Sequence, residues 1–302
     1  MPFFECYDFL ICNTRHHYSV FDWHPQAFYI PWGTDISLFT PTTFAPVHSG
    51  FVTFFHSGGV SPGRKGTDMV LRAFARLHGQ TRLVLHVQQR LKESFPQLKS
   101  MVENLEDSGR LICYEKTVPA PGLYHLGDIY VYPSRLDGIG LTIAEALACG
   151  LPVITSDNPP MKEFIDQSNG KLLRIERFYP RADGYYWPQC DVDLDNLREC
   201  MQKYIDQKKH LTEFKKAARI YAEKNLNFAK NGKNLPLIFS QVVKRQGEKY
   251  FIEQKAKTYE SKRLSYLQKL NLQFPYVFKT VRLLRMFVKR FKYSRDKDMW
   301  IK

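Results

Sequence analysis

The chain has 302 residues, 44 % of them hydrophobic and 25 % charged, a composition that excludes wholesale disorder and low-complexity fibre and allows one large or two modest domains. Its formal charge is +14, but 17 of the basic and 5 of the acidic residues lie in 243–302, so the tail carries +12 and the rest only +2. Six scattered cysteines without a C-x-x-C spacing read as reduced thiols rather than a zinc or redox site. No basic, apolar and small-residue leader opens the chain, and no run of about 18 apolar residues occurs, so the expectation is a cytoplasmic protein without a membrane span.

In chain order, Asp8–Asn13 predicts a strand, Tyr18–Phe21 a short helix and Ala27–Pro31 a second extended piece. Phe39–Pro46, with two prolines and three threonines, reads as a linker. From Phe51 onward, short apolar runs alternate with amphipathic ones. Strands are expected at Phe51–His56, Arg82–Val87, Arg110–Tyr114, Ile129–Pro133, Pro152–Ser156 and, more weakly, Lys171–Ile175. Helices are expected at Thr67–Leu77, Pro96–Asp107, Gly122–Leu126, Thr142–Cys149 and Met161–Gln167. Such alternation implies an α/β fold with a doubly wound parallel sheet, whose ligand sits beyond the carboxyl ends of the strands, in the loops after Phe55, Pro133 and Thr155. Phe178–Gln189 reads as an ordered loop, followed by helices Leu194–Asp206 and Leu211–Asn225.

The most informative run is Asp137-Gly138-Ile139-Gly140-Leu141, followed by Glu145 and by Gly150-Leu151-Pro152-Val153-Ile154. It leaves a strand, passes two glycines, opens a helix and ends at a glycine cap before a new strand. Backbone N–H groups at such a helix start suit an anion, and Asp137 and Glu145 suit the hydroxyls of a sugar or ribose. Ser57-Gly58-Gly59 through Arg64-Lys65-Gly66 forms a second glycine-rich loop after a strand, where the two cations suit a phosphate. Asp191-Val192-Asp193 precedes a helix, so Asp193 reads as an N-cap rather than part of a metal site. His16, His17 and His24 lack helical ligand spacing and read as surface or packing residues. Glu163 either caps its helix or touches the ligand.

These residues resemble the retaining family 4 nucleotide-sugar glycosyltransferases of the two-Rossmann GT-B fold. The family has Glu-Gly-Phe-Gly-Leu, three residues, Glu-Ala and then Ala-x-Gly-x-Pro-Val-Ile; here Asp137 stands for the first Glu. Its Gly-Arg-Leu and Lys-Gly loop is matched at 57–68, with Gly59 in the usual Arg position and Arg64 beside Lys65 supplying the cation. Tyr130–Arg135 and the interdomain stretch Tyr29–Phe39 match as well. The resemblance implies a Rossmann-like, GT-B donor domain at 47–242, after a remnant of the acceptor domain and linker at 1–46. It implies a metal-independent, retaining hexosyltransferase-like enzyme for polysaccharide or glycoconjugate synthesis, with no cofactor beyond its nucleotide-diphosphate sugar substrate.

By the same resemblance, Asp137, Arg64 and Lys65 are catalytic. Gly58, Gly59, Gly138, Ile139, Gly140 and Leu141 join them in holding the donor, and Glu145 takes the ribose. The acceptor is a saccharide or a lipid-linked sugar, with the acceptor domain on this or a separate polypeptide. The alternative is a non-catalytic nucleotide-sugar-binding subunit or truncated remnant. The tail, 243–302, reads as a basic amphipathic helix: from Phe274 to Tyr293, Tyr276, Val277, Val281, Leu283, Leu284, Phe287, Val288 and Phe291 face opposite Lys279, Arg282, Arg285, Lys289, Arg290 and Lys292, with Phe278 and Met286 as exceptions. Such a helix suits an anionic membrane surface, giving a peripheral location, or a packed terminal helix with a basic outer face. Without a zinc finger, RNA-binding aromatic motif or helix-turn-helix, nucleic acid is not the expected partner.

Overall fold

A computed structural model describes residues 4, 7–47, 50–180, 188–244, 250, 252–254 and 257–258. The chain divides into two compact units, Trp32–Phe178 with Gln189–Asn231, and Met1–Pro31 with Tyr179–Pro188 and Gly232–Lys302. The second contains β1 (Leu10–Cys12), α1 (Arg15–Phe21) and β2 (Ala27–Tyr29), with β1 and β2 paired in parallel. The helix α1 starts three residues before the predicted one because Thr14 caps it, its hydroxyl accepting from the His17 N–H at 3.0 Å. His24 is buried; its Nε2–H donates to the Tyr7 carbonyl (3.1 Å) and its Nδ1 accepts from the Gln26 N–H (3.2 Å), a packing role.

The larger unit holds β3 (Val52–Gly59), α2 (Thr67–Ala75), β4 (Thr81–Val87), α3 (Leu91–Ser94), α4 (Lys99–Asp107), β5 (Leu111–Glu115), β6 (Ile129–Tyr132), α5 (Leu141–Ala148), β7 (Val153–Ser156) and β8 (Gly170–Leu173). A ribbon, β9 (Ile175–Tyr179) with β10 (Gln189–Val192), leads to α6 (Leu194–Asp206), α7 (Leu211–Asn225) and α8 (Phe228–Asn231). A last helix, α9 (Leu235–Gln241), belongs to the smaller unit.

Six strands form one parallel sheet in the order β5-β4-β3-β6-β7-β8. This is the doubly wound fold expected from the alternation. Both faces are covered, and the strand period of two divides the residues between them. Val52, Phe54, Leu83, Leu85, Ile129 and Val131 pack with α2, α4 and α6, whereas Phe55, Val84, Tyr130 and Tyr132 pack with α5 and α7. The chain order reverses between β3 and β6, whose following crossovers leave in opposite directions, the point at which such sheets hold a ligand beyond the carboxyl ends of the strands.

Two predicted helices shrink to single 3-10 turns. Tyr124–Leu126 lies between Pro121 and Gly127, and Met161–Phe164 ends where Ile165 turns to extended backbone. Residues 96–98 form a 3-10 turn that runs directly into α4. Phe178 and Gln189, taken from the sequence as loop ends, lie in the paired strands β9 and β10. The amphipathic stretch 274–293 lies outside the described residues.

Candidate active site at the strand-order reversal

The loop after β3 carries the cations. Gly66 caps α2 at φ +77°, and a Cβ there would stand 2.3 Å from the Pro133 carbonyl oxygen, so only glycine lets this loop press against the end of β6. Arg64 Nη1 donates to the Leu136 carbonyl at 2.6 Å and lies 4.0 Å from Asp137 Oδ2. Lys65 Nζ is 2.6 Å from the same oxygen. The Tyr132 hydroxyl joins the group, accepting from Lys65 and donating to Asp137. Gly138 N–H donates to Asp137 Oδ1 at 2.8 Å.

Burial pulls these charges in opposite senses. It drives the Lys65 ammonium below the ordinary lysine range, against the opposing pull of Asp137. Burial also pushes on Asp137, but there Lys65, the Tyr132 hydroxyl and Arg64 outweigh it and hold the carboxyl below the usual aspartate value. Glu145, one helix away, goes the other way: burial lifts it above the usual glutamate value despite the Tyr124 hydroxyl and the Lys65 charge. Lys65 and Glu145 thus lie within electrostatic reach of one another. Tyr124 donates its hydroxyl to Glu145 Oε2 at 2.5 Å.

Gly140 begins α5 at φ +90°, a left-handed N-cap that turns the chain from the Asp137–Gly138 bend into the helix carrying Glu145. Leu141, at the first helical position, is exposed, and a Cβ on Gly138 or Gly59 would meet nothing within 4 Å. Gly58, by contrast, faces Thr67 Oγ1, which a Cβ would approach to 2.6 Å. Of the sequence-predicted residues of the first two loops, Arg64, Lys65 and Asp137 meet at one place, with Glu145 within electrostatic reach. In the third loop, Asn158 is buried against Cys190, and Glu163 sits on the turn after Pro160.

The sequence marked Tyr130–Arg135 as a matching run but assigned no role to the residues that hold these groups. Tyr130 and Tyr132 share one face of β6, and their rings stack at 5.5 Å. Arg135 grips the cation loop: its guanidinium donates to the Gly63 carbonyl (2.5 Å), to both oxygens of Asp68 (2.7 and 2.9 Å) and to Asp191 (2.8 Å), while its N–H donates to the Arg64 carbonyl (2.8 Å). His56 joins β3 to β6 and α2, with Nδ1–H donating to the Val131 carbonyl (2.7 Å) and Nε2 accepting from Thr67 (2.8 Å); burial lowers its pKa to about 4, so it is neutral. The alternating Tyr-Val-Tyr was a visible signal, whereas Arg135 left none without the fold. Asp191 pairs with Arg135 and Arg177, and Asp193 caps α6, accepting from the Asn196 N–H at 2.9 Å, as its place before a helix implied.

Residues 52–179 match the family described as Glycosyl transferases group 1. Among curated proteins, an uncharacterized glycosyltransferase of Sulfolobus islandicus rod-shaped virus 1 is 26 % identical over 111 residues, covering 35 % of this chain and 33 % of that one. An O-antigen chain mannosyltransferase B of Escherichia coli is 38 % identical over 56 residues, 18 % of this chain and 15 % of that one. Among solved structures, sucrose-phosphate synthase of Thermosynechococcus elongatus superposes with a TM-score of 0.59 at 20 % identity, over 76 % of this chain and 57 % of that one. HepE of Anabaena, solved in complex with UDP-glucose, gives 0.60 at 17 % identity over 77 % and 64 %. The chain spans less than two thirds of the length of each. The fold is that of the Rossmann-like domain of the GT-B glycosyltransferases.

Proposed function

We propose that this chain, whose residues 52–179 match the group 1 glycosyl transferases, binds a nucleotide-diphosphate sugar at the β3–β6 reversal and passes the sugar to an acceptor with retention of configuration. The observation that carries this reading is the meeting of Lys65 and Arg64 with Asp137 and, within electrostatic reach, Glu145. Two cations beside a helix start suit a diphosphate, and two carboxylates suit carbohydrate hydroxyls. HepE, whose fold this unit shares, was solved with UDP-glucose, which supports a donor of that class.

In the proposed reaction the bond from the anomeric carbon to the diphosphate oxygen breaks, a bond to an acceptor hydroxyl oxygen forms on the same face, the hydroxyl proton passes to the departing diphosphate, and negative charge grows on that phosphate as it leaves. Lys65 and Arg64 neutralise that charge. Asp137 and the 138–141 backbone hold the sugar, and Glu145 accepts from the ribose hydroxyls. With charge supplied by side chains, transfer needs no metal and should survive a chelator. The acceptor is a saccharide or lipid-linked sugar of a glycoconjugate, met by residues 1–46 or by a separate acceptor domain, with 47–242 as the donor domain. The basic tail, 243–302, would hold the protein at an anionic membrane surface in the cytoplasm.

A second reading, a subunit that binds the nucleotide sugar without turning it over, draws on the engagement of Asp137 Oδ2 by both Lys65 and Tyr132. Calorimetric titration with a panel of nucleotide sugars, followed by product analysis of the anomeric configuration, tests the proposal. Binding of one donor class with transfer and retention is expected. Binding without turnover supports the second reading, and no binding by any nucleotide sugar overturns both.

A further inference from the structure

Tyr124 is built into the molecule as a fixed support. Its ring stands edge-on to three others, Phe55 at 5.4 Å, Tyr130 at 5.7 Å and Phe39 at 6.1 Å. The side chain is 6 % exposed and sits on the short turn 124–126, closed by the Gly127 N–H to the Tyr124 carbonyl at 3.1 Å. An aromatic ring held on three sides has one direction left for its hydroxyl, and that direction is Glu145 Oε2, 2.5 Å away. Among the described residues, Tyr124 is the hydrogen-bond partner of this carboxylate, and it occupies one oxygen only.

We infer that Tyr124 is a positioning residue for Glu145: its phenol fixes one carboxylate oxygen and so presents the other to a neighbouring pair of ligand hydroxyls. The inference rests on the donor-binding reading, in which those hydroxyls belong to the ribose. A glutamate on a helix otherwise has three rotatable bonds, and freezing them beforehand removes an ordering cost from binding. The phenol also favours the ionised carboxylate, the form that accepts two hydroxyl protons. Burial opposes ionisation of Glu145; Tyr124 and the Lys65 charge oppose burial. The other groups around it are neutral at physiological pH: Tyr130 on β6, whose hydroxyl is raised by burial, and Cys149, one turn along α5, whose thiol burial pushes up to about 12. Arg219 of α7 faces Cys149.

The test is Tyr124→Phe in the full chain, which keeps the ring, its three neighbours and the volume. The Glu145 carboxyl is titrated by carbon-13 NMR without nucleotide, its signal assigned with Glu145→Gln, and UDP affinity is measured across the same pH range. In the variant the carboxyl should titrate at higher pH, the acid limb of UDP binding should move up with it, and affinity above that limb should fall about three- to tenfold, the worth of one ordinary hydrogen bond. Tyr130→Phe, which removes a phenol that does not touch Glu145, should leave the titration in place. An unmoved Glu145 titration in Tyr124→Phe overturns the inference. If the titration moves but the wild-type chain does not bind UDP, the donor reading fails while the coupling of Tyr124 to Glu145 stands.

Discussion

Two lysine–aspartate pairs in the larger unit have the same chemistry and opposite surroundings. Lys215 and Asp128 are 2 % and 0 % exposed, 3.5 Å apart, and enclosed by backbone: Asp128 accepts from the N–H groups of Val47 (2.8 Å) and Thr53 (2.9 Å), and Lys215 donates to the Ala45 carbonyl (3.0 Å). Lys65 and Asp137 are each 16 % exposed, 2.6 Å apart, and held by a phenol and a glycine turn at the carboxyl ends of the strands. Burial pushes both lysines below the ordinary range. A shifted lysine therefore does not mark a site. What separates the pairs is what surrounds them: backbone groups tie the first into the fold, whereas side chains at the strand ends leave the second able to exchange partners.

The largest effect should break the enclosed pair. Asp128→Ala leaves a buried ammonium without its counter-charge and should cost about 3–5 kcal/mol, read from urea unfolding. The nucleotide affinity of whatever remains folded should be unchanged. Lys65→Ala should do the reverse: donor affinity falls about tenfold to a hundredfold, as for a hydrogen bond to a charged group, while stability falls less than in Asp128→Ala, because Asp137 keeps Arg64, Tyr132 and the Gly138 N–H beside it. Equal loss of stability in both variants would erase the distinction.

The two site carboxylates sharpen it through pH. Asp137 is lowered in the fold, so its contribution is present above the unfolded value of about 3.9 and is lost as pH falls through its folded value. Glu145 is raised, so its contribution is present below about 4.3 and is lost as pH rises through its folded value. Glu145→Gln should therefore be more stable than wild type at neutral pH, by a margin that closes on acidification, while binding the donor about tenfold less tightly. Thermal melts from pH 3 to 8 check the sign. The smallest effect is expected of Tyr132→Phe, which keeps the stacked ring and should cost below about 1.5 kcal/mol.

The sheet was legible because its signal is local: apolar alternation marks each strand, and glycines after β3 and β6 mark where the chain turns into a helix. Arg64, Lys65, Asp137 and Glu145 were legible for the same reason, each standing beside such a glycine or on the helix it opens. The supports were not. Tyr132 meets a lysine 67 residues earlier in the chain, and Lys215 meets an aspartate 87 residues away, pairings that only strand order creates. Tyr124 was taken for part of a helix, because a single turn between a proline and a glycine has too few residues to show a period. The motif marks the groups proposed to touch a ligand, whereas the fold shows the side chains that pair with them.

The most direct test of the account compares UDP with uridine on wild-type, Lys65→Ala and Glu145→Gln chains by calorimetry. The account predicts that Lys65→Ala weakens UDP and leaves uridine nearly unchanged, whereas Glu145→Gln weakens both by a similar factor. Equal UDP affinity in all three would show that the β3–β6 crevice does not hold the nucleotide.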